Sequence, residues 1–296
     1  MDQAITLKEM MTKTEDKRHS GTYEKRTKVI SVTSGKGGVG KTNVVANLAF
    51  ALTQIGKKVL VVDADMGLGN LDVMLGLTPL YSLHNVVNGD IGISDVIISG
   101  PGGMMILPAG SGVQELSELT PQQKLNLLSE LDKLDNSFDI MLIDTAAGIS
   151  SNVMYFNTAA QDILVVASPE PTSITDAYAL MKILHTRYGE SRFKLLVNMA
   201  ENQMEGKEVY RKLGIAADRF LNISIDYIGC ILQDKHVRMS VMDQKPVVDI
   251  FPKSEASKCF NVLAKSVCEW PVNSHLKGSI QFMWKKLVQH SDWSEV

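Results

Sequence analysis

Ser34-Gly35-Lys36-Gly37-Gly38-Val39-Gly40-Lys41-Thr42 is the stretch that decides how this chain is read. Before it, Val29, Ile30 and Val32 form a short apolar run of the kind a buried strand makes, and after it the apolar spacing predicts a helix over 43–53. A glycine-rich turn between a strand and a helix is what a polyphosphate requires. Glycines at 35, 37, 38 and 40 can take φ > 0 and aim backbone N–H groups inward, and the helix that follows presents its positive N-terminal end. Lys41 supplies a charge for the terminal phosphates, and the Thr42 hydroxyl a direct ligand for Mg²⁺. The match to G-x-x-x-x-G-K-[ST] is complete from Gly35 to Thr42, so residues 35–43, with Val39 and Asn43, are the expected phosphate contacts.

Working outward, Lys58 to Asp72 opens as a buried strand and ends in carboxylates. Strand C-termini are where an open parallel sheet gathers its ligand groups, which places Asp63 to hold a Mg²⁺-bound water and Asp65 to orient an attacking water. Met104 to Gly110 predicts another strand, and Pro121 to Leu134 a helix with Thr120 as N-cap. Phe138 to Asp144 repeats the device of a buried strand ending in Asp. Strands at 163–167 and 193–197 flank a helix over 173–188, a strand follows at 227–232, and a helix over about 254–270 closes the domain. Such alternation predicts an α/β fold, a doubly wound, mostly parallel sheet flanked by helices, in a single domain with an appendage at each end.

Asn198, at the end of the strand 193–197, is placed to meet a base, or else to form a connecting turn. A guanine reader would continue Asn-Lys-x-Asp, whereas this chain has Asn198-Met199-Ala200-Glu201, so adenine and hence ATP with Mg²⁺ is the expected ligand.

Composition narrows the setting. The 296 residues are 45% hydrophobic and 21% charged, ordinary globular values, and a net charge of −3 gives no global pull toward nucleic acid. Cys230, Cys259 and Cys268 form no C-x-x-C pair, which suits a reducing cytoplasm. No apolar run approaches the roughly 18 residues of a membrane span, and Lys8, Glu9 and Lys13 interrupt the N-terminal stretch where a signal peptide would be apolar.

Residues 1–27 are expected to be a short helix and charged tether, 28–270 the ATPase domain, and 271–296 a second appendage. Ala4, Leu7 and Met11 share one face of a helix that Asp2 could cap; a frayed terminus is the alternative. In the second appendage Leu276, Ile280, Met283, Trp284, Leu287 and Val288 line one helical face, with Lys285 and Lys286 on the other. A helix carrying Trp and Lys in this way suits an anionic membrane interface, Ile280, Met283, Trp284, Leu287 and Val288 entering it; packing onto the sheet would use the same face.

The motifs at 34–42, Val62-Asp63-Ala64-Asp65, Gly67 to Asp72, Asp144-Thr-Ala-Ala-Gly148 and Asn198 together resemble those of the MinD/ParA class of ATPases over about residues 27–270. The stretch 169–182 and Asp2-Gln3-Ala4 further resemble the FlhG (FleN) family of bacterial regulators of flagellar number and placement. That resemblance implies an ATP-dependent homodimer in which Lys36 reaches the partner's nucleotide, making Lys36, Lys41 and Asp65 the catalytic set. It assigns Asp144 to a Mg²⁺-bound water, the Gly148 N–H to the γ-phosphate, and Gln233 with Asp234 to the second wall of the base site. It also implies peripheral, possible polar placement on the inner membrane face and contact with a flagellar transcription regulator or switch-complex protein. Asp2, Gln3 and Ala4 would activate the partner GTPase FlhF, although Lys8 stands where the family usually has Arg and lacks its planar fork. Competing readings are a MinD-type division-site regulator, disfavoured by the N-terminal extension, and a ParA-type partitioning ATPase, for which no basic cluster for DNA is evident. A redox protein of the nitrogenase-reductase type is nearly excluded, because no cysteine precedes Cys230.

Overall fold

The computed structural model describes residues 27–271 except 66–70, 82–84, 87, 109–119, 121–122, 124–125, 127–128, 132 and 135–136. Eight strands form one sheet: β1 Lys28–Ser34, β2 Val59–Ala64, β3 Ile98–Ser99, β4 Met105–Pro108, β5 Ile140–Ala147, β6 Asp162–Ala167, β7 Arg192–Ala200 and β8 Ser224–Leu232. Their order across the sheet is β3-β4-β2-β5-β1-β6-β7-β8. Every pairing is parallel except that of β3 with β4 at one edge, a two-residue strand the sequence reading did not anticipate.

The longer helices are α1 Lys41–Gln54, α2 Ser151–Ala159, α3 Pro171–Tyr188, α4 Gln203–Phe220, α5 Lys235–Met242 and α6 Glu255–Glu269. Successive strand residues alternate between two buried faces, as the period of two requires. Ile30, Val61, Leu142 and Leu164 pack with Leu48, Leu52, Phe260 and Leu263 of α1 and α6. On the other face Leu60, Val62, Met141 and Ile143 meet Tyr155 and Phe156 of α2, while Ile163, Val165 and Leu195 meet Leu180, Leu184, Val209 and Leu213 of α3 and α4. The doubly wound expectation is therefore met.

Helices α2, α4 and α5 were not assigned from sequence. Each nevertheless has a capping side chain: Ser150 accepts from the Val153 N–H, Asn202 from those of Met204 and Glu205, and Asp234 from that of His236. At 120–134, Thr120 and Gln123 exchange hydrogen bonds as a capping box, and the described residues 123, 126 and 129–131 are helical. The expected helices at residues 1–26 and 272–296 lie outside the described residues.

β1 holds the two ends of the folded body together. At its start the buried Lys28 ammonium donates to the carbonyls of Val267 (3.0 Å) and Trp270 (2.6 Å), capping the last turn of α6. Its other end, Ser34, opens the glycine-rich loop.

Candidate phosphate-binding site

The loop 35–40 sits at the C-terminal end of β1, where the chain turns toward β2 on one side of the sheet and, from β5, toward β6 on the other; open α/β sheets bind ligands at such a switch point. Its glycines are needed for two different reasons. Gly38 (φ 80°) and Gly40 (φ 81°) occupy the left-handed region, as expected, but Gly35 and Gly37 do not. Gly35 is instead a matter of space, since a Cβ there would lie 2.1 Å from the Asp176 carbonyl oxygen of α3, while a Cβ at Gly37 would meet nothing within 4 Å.

Behind the loop, parallel pairing sets Asp63 of β2 opposite Asp144 of β5. Lys41 reaches down from the first turn of α1 to Asp144, 2.8 Å away, with both side chains buried. Burial raises the Asp144 carboxyl, against the pull of the Lys41 ammonium and of a hydrogen bond from the Thr42 hydroxyl. Burial, and after it repulsion from Asp144, pushes Asp63 up to about 7. Two buried carboxylates and a hydroxyl thus gather hard oxygen donors near Lys41, a set that suits Mg²⁺. The Asp65 N–H donates to Asp63 Oδ1 (3.2 Å), and Asp65 itself faces the cavity.

That cavity, about 630 Å³, is lined by Ser34, Lys36 to Asn43 and Asp65, with Val73, Met74, Val241, Met242 and Gln244 forming the opposite wall. Nothing in the sequence reading pointed to that wall. Val241 and Met242 end α5, and the Gln244 amide donates to the Val73 carbonyl (2.7 Å), tying the wall's two halves together. Lys36 stands at the rim, its ammonium 2.7 Å from Glu170 and 2.8 Å from the Thr172 hydroxyl at the start of α3.

Other expected contacts are spent elsewhere. The Gly148 N–H, assigned by resemblance to a phosphate, donates to the Ser34 carbonyl at 2.9 Å. Asn198 turns its amide to the Val39 carbonyl (2.8 Å) and does not line the cavity. Asp234 uses one carboxylate oxygen on His236 and the other on the Ala256 N–H (3.1 Å), clamping the start of α5 to the start of α6. Gln233 is exposed, and its backbone N–H donates to the Ala200 carbonyl. Asp63, Asp144, Gly148, Gln233 and Asp234 likewise stand outside the cavity lining. Asp2, Gln3, Ala4, Ile280, Met283, Trp284, Leu287 and Val288 lie outside the described residues.

Comparison with known proteins agrees with this architecture. Residues 27–197 match the family described as an AAA domain. The chain is similar to the antiactivator FleN of Pseudomonas aeruginosa, 46% identical over 262 residues that cover 88% of this chain and 94% of FleN. It is also similar to the flagellum site-determining protein YlxH of Helicobacter pylori, 33% identical over 239 residues, 80% of this chain and 81% of YlxH. Among solved structures, the septum site-determining protein MinD of Pyrococcus horikoshii, complexed with Mg-ADP, superposes with a TM-score of 0.65 at 26% identity, covering 82% of this chain and 96% of that one.

Proposed function

The chain belongs to the MinD-like P-loop ATPases, in the branch that includes the FleN antiactivator, and from that premise we propose that it is an ATP-dependent dimerisation switch setting flagellar number and placement. Like the family, it hydrolyses ATP. The observation that carries the switch is the placement of Lys36. Its side chain is 36% exposed at the cavity rim and held by a surface ion pair with Glu170, a contact worth at most about 1 kcal/mol. Such a hold exchanges readily for the triphosphate of a second copy facing the same cleft. Each protomer would then supply Lys36 to its partner's nucleotide while its own Lys41 holds the phosphates.

In this mechanism Thr42 would offer its hydroxyl to Mg²⁺, and Asp63 and Asp144 would hold the ion through water. Mg²⁺, when bound, neutralises charge on the β- and γ-phosphates. Asp65 orients the attacking water. Among the described residues no arginine lines the cavity, so turnover is slow until dimerisation delivers Lys36. Release of the Gly148 N–H from Ser34 to the γ-phosphate would report nucleotide state to the loop after β5.

Downstream, an amphipathic segment at 276–288 is a weak membrane anchor singly and gains roughly 10²–10⁴ in avidity when a dimer presents two. Residues 1–26, led by Gln3, would stimulate the GTPase FlhF, and the dimer would meet a flagellar transcription regulator or switch-complex protein. The test is Asp65→Ala. This variant should retain ATP, persist as a dimer on size exclusion, pellet with anionic liposomes, and hydrolyse ATP on the order of 10²-fold more slowly in single turnover. Unchanged turnover, or a monomer with ATP bound, sinks the reading.

A further inference from the structure

A phosphate loop binds well when its curl exists before the ligand arrives, since the ordering cost is then already met. In this chain no side chain of the loop's own segment caps its last turn, where Gly40 is the N-cap of α1. The restraint comes from β7, 159 positions away in sequence. Asn198 donates its amide to the Val39 carbonyl at 2.8 Å, with Asn198 7% and Val39 3% exposed. The contact is close enough to dictate the neighbouring residue. A Cβ at position 40 would lie 2.5 Å from Asn198 Nδ2 and 3.1 Å from the Met199 methyl carbon.

Met199 adopts φ 60°, a left-handed conformation unusual for a residue with a side chain. The register of β7 against β8 slips between Val197 and Ala200, so the strand bulges where it meets the loop. In a regular strand residues 198 and 199 face opposite sides; here both bear on Gly40. Strain of this kind persists where surrounding structure over-determines it, and it is found at functional sites. Neither residue lines the phosphate cavity.

We propose that Asn198 and Met199 are positioning residues that clamp Val39 and Gly40, holding the phosphate loop in its anion-binding curl ahead of the nucleotide, so that Asn198 serves the phosphates through the loop. The proposal rests on the ATPase reading of the same site. It makes a demand that base recognition does not: loss of Asn198 must weaken a polyphosphate that has no base.

The experiment compares ATP with inorganic tripolyphosphate in the presence of Mg²⁺, by calorimetry or by displacement of a fluorescent ATP analogue, on the full chain. Asn198→Ala should weaken both ligands by the same factor, about tenfold, the cost of leaving one buried carbonyl without its donor. Asn198→Leu, which is close in volume, uncharged and offers no N–H, should do the same and covers the case in which the alanine variant fails to fold. Gly40→Ala should weaken both ligands in the wild-type background and do so less in Asn198→Ala, where the obstructing amide is gone. Loss of ATP affinity with tripolyphosphate unchanged would overturn the clamp and return Asn198 to the base, and strict additivity of the two substitutions would overturn it as well. A wild-type chain that binds ATP but not tripolyphosphate counts against a loop curled in advance. Failure of the wild type to bind either ligand removes the nucleotide reading itself, a distinguishable result that takes the clamp with it.

Discussion

Replacing Asp63 by Asn should stabilise the nucleotide-free protein, by an amount that grows with pH. Asp63 is 6% exposed, and its carboxyl is held up at about 7, against 3.8 without the protein around it. Between these two values the unfolded chain has lost its proton while the folded chain keeps it. The folded state therefore binds more protons, and stability falls as pH rises through that window. At 1.36 kcal/mol per pH unit the whole window is worth roughly 4 kcal/mol, fully lost by pH 8, and only a minor part of it is already lost at pH 5. Asparagine does not ionise, and its carbonyl oxygen can still accept from the Asp65 N–H, the bond that Asp63 Oδ1 makes at 3.2 Å. Urea unfolding of both proteins in a chelator without nucleotide, at pH 5 and pH 8, measures the difference. The variant should gain several kcal/mol at pH 8 and clearly less at pH 5. An equal gain at both pH values, or a loss at pH 8, would refute the argument that burial beside Asp144 sets the proton affinity of Asp63.

Two further expectations concern the loop and its floor. Lys41→Met leaves Asp144 buried without its cation and should cost about 3–5 kcal/mol in urea unfolding at neutral pH, and adding Asp144→Asn to that variant should recover much of the loss. Gly35→Ala must push against the Asp176 carbonyl and should lower Tm by several degrees, whereas Gly37→Ala, with open space and no positive φ, should stay within about 0.5 kcal/mol of the parent; similar melting points for the two would show that the approach of α3 to the loop is not tight.

Much of the sheet was legible because parallel strands buried on both faces read as unbroken apolar runs, and β1, β2, β5 and β6 are of that kind. Helix α2 escaped for the same physical reason: from Val153 to Ala159 it is buried all round, so no polar face marks a helical period. Helix α4 does carry the spacing Gly206, Val209, Leu213, Ala217, but two of those four are too small to register as an apolar stripe. In the site, the local motif located Lys41, Thr42 and the loop. What it could not reveal was how Asn198 and Asp234 spend their side chains. Asn198 turns to Val39, and Asp234, besides capping its own helix at His236, turns its second oxygen to Ala256; neither Val39 nor Ala256 is specified by anything near those residues in sequence. Val241 and Met242 were equally invisible, because they belong to the cleft only through the packing of α5 beside residues 71–74.

The lysine cap at the start of β1 has a topological consequence. Lys28 reaches the Trp270 carbonyl with its own side chain, so the start of β1 and the end of α6 lie together at one pole of the folded body. The loop that would hold phosphate is at the other pole, joined to the first by the seven buried residues of β1, a span of about 23 Å. The shortest covalent route from that loop to Lys28 is a strand with no exposed residue along its length.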